Sequence, residues 1–126
     1  MSNLSTRYMG LELKNPLVVS SCGLTKTVQG VQQAADAGAG AIVLKSLFEE
    51  QINAETEDLA RQSQHSGHTE TYDYLYGFGR TFGPREYLHL VSDAKEAVSV
   101  PIIASVNCVT AERWIEYAGK LAAAGA

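Results

Sequence analysis

A chain of 126 residues, 45% hydrophobic and 19% charged, has the length of one domain and the balance of a folded protein rather than a disordered one. Ten Lys plus Arg against fourteen Asp plus Glu give a formal net charge of -4, which offers no long-range attraction to nucleic acid or anionic lipid and points to small-molecule partners. No stretch nears the ~18 apolar residues that span a bilayer, the opening residues lack an apolar leader core, and Cys22 and Cys108 form no CxxC pair. A reducing, cytoplasmic compartment is expected, with no membrane partner and both cysteines as plain buried thiols.

The elements follow in chain order. Tyr8 to Pro16 alternates apolar and polar residues around Gly10 and ends in an Asn-Pro turn signal, which predicts a small hairpin or lid. Leu17-Val18-Val19 is a continuous apolar run suited to a strand buried on both faces, and it ends in Ser20-Ser21-Cys22-Gly23. A helix is predicted from Thr25 or Thr27, with Val28, Val31, Ala34 and Ala35 on its buried face and Gly38 and Gly40 terminating it. Ala41-Ile42-Val43-Leu44 makes a second strand, closed by Lys45-Ser46. Residues 47–82 are polar, aromatic-rich and without a clear period, as expected of a long loop or insertion. Pro84 opens another helix through Leu88, Val91, Ala94 and Val98, Pro101 to Val106 gives a third strand, and Thr110 caps a last helix whose Trp114, Ala118 and Leu121 should be buried.

Three strand-helix units are therefore visible, in an α/β chain with parallel crossovers. An open parallel sheet would need helices on both faces, and a (β/α)8 barrel needs eight units in ~250 residues. Strands that read as buried leave edges and apolar faces to be met by the rest of a barrel or by another copy.

Ligands in parallel α/β folds collect at the carboxyl ends of the strands, here Ser20-Ser21-Cys22, Lys45-Ser46 and Ser105-Val106-Asn107-Cys108. Lys45 carries the sharpest signal, because a lysine ending a buried strand is costly unless its ammonium finds an acceptor or snorkels to solvent. Ser105 and Asn107 stand two apart on a strand and share a face. Ser20 and Ser21 could equally be turn formers. His65 and His68 lie in a Gln-Ser-Gly-Thr context that favours a solvated loop over a metal pair, so no metal site is expected. Tyr76-Gly77-Phe78-Gly79-Arg80 lacks a Rossmann spacing and suits a loop over a ligand.

The segment Tyr8-Met9-Gly10-Leu11-Glu12-Leu13-Lys14-Asn15-Pro16-Leu17-Val18-Val19-Ser20-Ser21 resembles the opening of class 1 dihydroorotate dehydrogenases. Val43-Leu44-Lys45-Ser46 and Pro101 to Cys108 are similar to that family's later strand ends, and the second also to the flavin domain of dihydropyrimidine dehydrogenase. The resemblance implies residues 1–126 as the N-terminal part of one FMN-binding barrel domain: a hairpin and about three βα units of a partial TIM (β/α)8 barrel. It implies FMN as cofactor, contacted by Ser20, Ser21, Lys45, Ser46 and Ser105, with Asn107 a same-face candidate and Lys45 also reaching a dihydropyrimidine-like substrate. The implied reaction is hydride transfer from a CH-CH bond to the flavin. Two departures matter. Tyr72 to Pro84 replaces the family's Asn-x-Met-Gly-Leu-x-Asn substrate loop, so orotate specificity does not carry over. The Asn-x-Ser-Cys-Pro-Asn segment bearing the general base would fall beyond Ala126, so no catalytic residue is assigned, Cys108 does not fill that role, and little turnover is expected from this chain alone. The competing readings are a Schiff-base lyase using Lys45 and a non-catalytic chain that pairs through its open strand edges.

Overall fold

The hairpin is formed by Thr6–Tyr8 (β1) and Leu11–Leu13 (β2), antiparallel, with Thr6 opposite Leu13 and Tyr8 opposite Leu11. This computed structural model describes residues 3–53 and 84–126. The hairpin's two-residue loop holds Met9 at φ 50° and Gly10 at φ 79°, the pair of left-handed conformations that a type I′ turn requires. Past the hairpin, the Asn15 side chain donates to the Gly38 carbonyl (2.9 Å) and accepts from the Leu17 N–H (3.0 Å). The Asn-Pro turn therefore staples the hairpin's exit to the turn that precedes the second strand of the sheet.

Among the described residues five more strands follow: β3 (Val18–Val19), β4 (Ala41–Val43), β5 (Leu47–Phe48), β6 (Ile102–Ile103) and β7 (Val106–Asn107). β3, β4 and β6 form a parallel sheet in that order, and β5 pairs with β7, also parallel. The helices are α1 (Val28–Asp36), α2 (Pro84–Ala97) and α3 (Ala111–Ala123), and residues 49–53 are helical as well. The architecture is thus mixed α/β with small parallel sheets.

Thr27, not Thr25, caps α1: its side-chain oxygen accepts from the Gly30 N–H (3.2 Å). Thr25 instead sits fully buried in a 3-10 turn, Leu24–Lys26, ahead of the cap. Gly38, at φ 102°, ends the helix in the left-handed conformation typical of C-terminal caps. The core joins Val31 and Ala34 of α1, Ile42 and Leu44 at β4, and Tyr87 and Val91 of α2. Each large aliphatic side chain so buried contributes ~1.5–3 kcal/mol of apolar transfer energy. Val43 and Ile103, directly paired across β4 and β6, are only half-buried and stand outside this cluster, on the sheet face away from the helices.

Three expectations change. β3 is a half-covered edge strand rather than a fully buried one, with Leu17 66% and Val18 39% exposed, because β4 is its one sheet neighbour among the described residues. The third strand is not continuous from Pro101 to Val106 but breaks at Ala104-Ser105. On α3 the buried line is Tyr117 and Leu121, one turn apart, while Trp114 is 44% exposed and Ala118 is exposed. That helix packs on α2 along one flank, so the stripe that touches the core is narrower than the apolar stripe in the sequence. Of the long segment 47–82, Leu47–Phe48 is strand and 49–53 helical; the remainder, with His65, His68 and the Tyr76–Arg80 stretch, lies outside the described residues.

Candidate functional site

The strand pairings on either side of the β4–β5 and β6–β7 breaks differ in register. Ile42 faces Ile102 and Val43 faces Ile103, whereas Leu47 faces Val106. Leu44, Lys45 and Ser46 on one strand therefore oppose only Ala104 and Ser105 on the other. The ladder continues across this extra residue through Leu44 N–H to Ile103 O (2.9 Å) and Leu47 N–H to Ser105 O (2.9 Å). An extra residue of this kind is a bulge, which bends the strand and re-aims side chains; bulges are common beside active sites.

At this bulge the strand ends meet. Ser21 Oγ accepts the Ser46 N–H (2.9 Å) and lies 3.0 Å from Ser46 Oγ, which lies 2.7 Å from Ser105 Oγ. Three hydroxyls each carry one proton, and two hydroxyl–hydroxyl bonds use two of them. One proton of the three remains to be donated to another acceptor. All three serines are half-buried, open enough to meet a ligand. Lys45, between them in sequence and also half-buried, is anchored by its N–H to Thr25 O (3.2 Å) and holds Nζ 5.4 Å from the centroid of the Phe48 ring. Ser21, Ser46 and Ser105 are thus brought together with Lys45 beside them. Ser20 and Asn107 are exposed at the margins of the group.

Cys22 was expected to be a plain buried thiol but is half-buried just past β3. The Thr25 N–H, then that of Leu24, hold its thiol below the ordinary value, with a smaller push from the Lys45 charge. Cys108 is buried, and burial followed by the Glu49 carboxylate pushes its thiol up. Iodoacetamide at neutral pH is therefore expected to alkylate Cys22 well before Cys108, as read by peptide mass mapping; equal rates would contradict the assignment.

Two residues that the sequence did not single out support the site. Tyr87, fully buried in the first turn of α2, bonds both backbone groups of Ser105. Its helical phase with Val91 and Ala94 was readable, but the target of its hydroxyl was not. Glu49, 6% exposed, follows β5 and accepts the N–H groups of Val109 and Thr110 (the latter at 3.0 Å) and the Thr110 hydroxyl (3.2 Å), capping α3 from a distant part of the chain. The Thr110 N–H first, then that of Val109, hold the carboxyl below its ordinary value of 4.5. A depressed carboxyl gives stability that is present above the unfolded value and lost as pH falls through the folded one. Thermal melts should therefore drop below about pH 4.5 more steeply in the wild type than in Glu49→Gln; parallel profiles would show that Glu49 does not contribute.

A cavity of 440 Å³ lies at the other end of the sheet, lined by Lys14, Asp36, Ser99 and Val100 among others where α1 and α2 turn into β4 and β6. None of the strand-end groups lines it. Among the described residues no three His, Cys, Asp or Glu side chains gather to hold a metal, and no helix is long and apolar enough to cross a membrane. Comparison with protein-family models and with curated proteins finds no match.

Proposed function

We propose that the chain binds FMN at the carboxyl ends of its parallel strands, as the N-terminal part of a dihydroorotate dehydrogenase-like (β/α)8 barrel that oxidises a CH-CH bond of a dihydropyrimidine. The observation that carries this reading is the Ser21–Ser46–Ser105 hydroxyl chain, set beside Lys45 at a bulge in the strands. Parallel strands place their ligands at this end, and the hydrogen-bonding capacity here is that of a cradle for a polar ring. The half-buried face bearing Val43 and Ile103 suits the interior of a barrel, with the helices outside.

The residues fit the cofactor by their donor set. A flavin ring edge presents carbonyl oxygens and ring nitrogens, and the spare hydroxyl proton of the serine chain and the Lys45 ammonium are donors for them. When bound, FMN supplies a hydride acceptor for the substrate carbon. Lys45 would offer the ammonium that favours negative charge on the ring, and would be the candidate partner for a substrate carboxylate or carbonyl. Ser21 and Ser46 would hold the ring's polar edge, with Ser105 completing the hydroxyl chain. Ser20 and Asn107 line the margin. Cys108, buried with its thiol pushed up, is unsuited to take a proton from substrate.

The test is retention of flavin. The purified chain is mixed with FMN, excess is removed by gel filtration, and the visible spectrum is recorded. A retained flavin band that weakens in Lys45→Ala supports the reading, and a colourless wild-type fraction contradicts it. Borohydride trapping of a carbonyl compound on Lys45 would instead favour a lyase.

A further inference from the structure

The hydroxyl chain is only as well placed as its last member, and Ser105 sits in the break between β6 and β7, where regular ladder geometry is interrupted. Its carbonyl keeps one ladder bond, from Leu47 N–H (2.9 Å). Its N–H goes to the phenol oxygen of Tyr87 (2.8 Å), and the phenol donates back to the Ser105 carbonyl (2.9 Å). A phenol that donates and accepts at one residue ties down the peptide groups on both sides of its Cα. Tyr87 is itself immobilised, fully buried between α2 and the strands, and burial pushes its hydroxyl up, keeping the proton that the second bond requires.

We infer that Tyr87 is a positioning residue for the ligand-facing hydroxyl chain, clamping the Ser105 backbone so that its Oγ closes on Ser46. This role rests on the flavin reading of the same site. Tyr87 does not touch the ligand; it acts through Ser105. A phenylalanine keeps the packing and removes both bonds, and the Ser105 N–H is then left without its acceptor.

A double-mutant cycle on FMN affinity, followed by quenching of flavin fluorescence, separates action through Ser105 from a general effect on the fold. Tyr87→Phe and Ser105→Ala are each expected to weaken FMN binding about tenfold, and the double variant to bind within about twofold of either single one, since two changes in one chain of contacts do not add. Fully additive losses, or no loss in Tyr87→Phe, would overturn the clamp. A wild type that binds no FMN would defeat the flavin reading, and hydrogen exchange then decides the clamp by itself. The amide to follow is that of Ser46, which bonds Ser21 and not Tyr87. Exchange about tenfold faster there in Tyr87→Phe, with the Val31 and Ile42 amides unchanged, supports the clamp. Unchanged exchange at Ser46, or uniform acceleration across the fold, overturns it.

Discussion

Gly30→Ala is expected to destabilise the protein by about 3 kcal/mol, at the upper end of overpacking costs. In an ordinary helix interior alanine is ~1 kcal/mol better than glycine, so propensity alone predicts the opposite sign. Geometry decides against it: a Cβ on Gly30 would stand 1.8 Å from the Leu24 carbonyl oxygen and 2.9 Å from its carbon. Those atoms are backbone and cannot rotate away. Leu24 begins the turn that carries Thr25 to Lys45 N–H, so relief of the clash would also disturb the strand-end site. A urea titration should show a lower midpoint with an unchanged slope. A midpoint equal to or above the wild type's would show that α1 does not press on this turn.

Lys45→Ala should weaken FMN binding by about ten- to a hundredfold, the loss of one charged hydrogen bond worth ~1.5–3 kcal/mol at 1.4 kcal/mol per decade. Two roles compete for this side chain. If the ammonium only covers the Phe48 ring, the contact is worth ~0.5–1 kcal/mol and its removal changes stability slightly while leaving FMN affinity alone. If it serves the cofactor, affinity falls while the melting temperature barely moves. Lys45→Gln, one atom shorter, with a donor but no charge, should fall between alanine and wild type. Fluorescence titration of FMN with parallel thermal melts separates the two roles.

The hairpin, α1, β4, α2 and the parallel pairing were legible in the sequence because each has a local cause: Gly10 in its turn, the Thr27 cap, the Gly38 terminator, and short apolar runs bounded by polar residues. The register change at Lys45–Ser46 was not, since a bulge is a relation between two strands and neither strand alone encodes it. The split of the third strand has a similar origin. Pro101 to Val106 reads as one run, and its break coincides with bonds from Tyr87, 18 residues earlier in the chain. β3 and Trp114 are more exposed than their apolar pattern predicts, because such a pattern records what can be buried, while actual burial depends on the neighbour. Of the candidate site, Ser21, Lys45, Ser46 and Ser105 were identified from strand-end position, and their joining into one chain is a property of the fold.

We propose that the strand ends, and not the opposite end of the sheet, hold the cofactor. Amide chemical-shift mapping during an FMN titration tests it most directly. The shifts are expected at residues 20–22, 45–46 and 105–107, with Asp36, Ser99 and Val100 at the far cavity unmoved. Shifts centred on that cavity, or none at saturating FMN, would contradict cofactor binding at the strand ends.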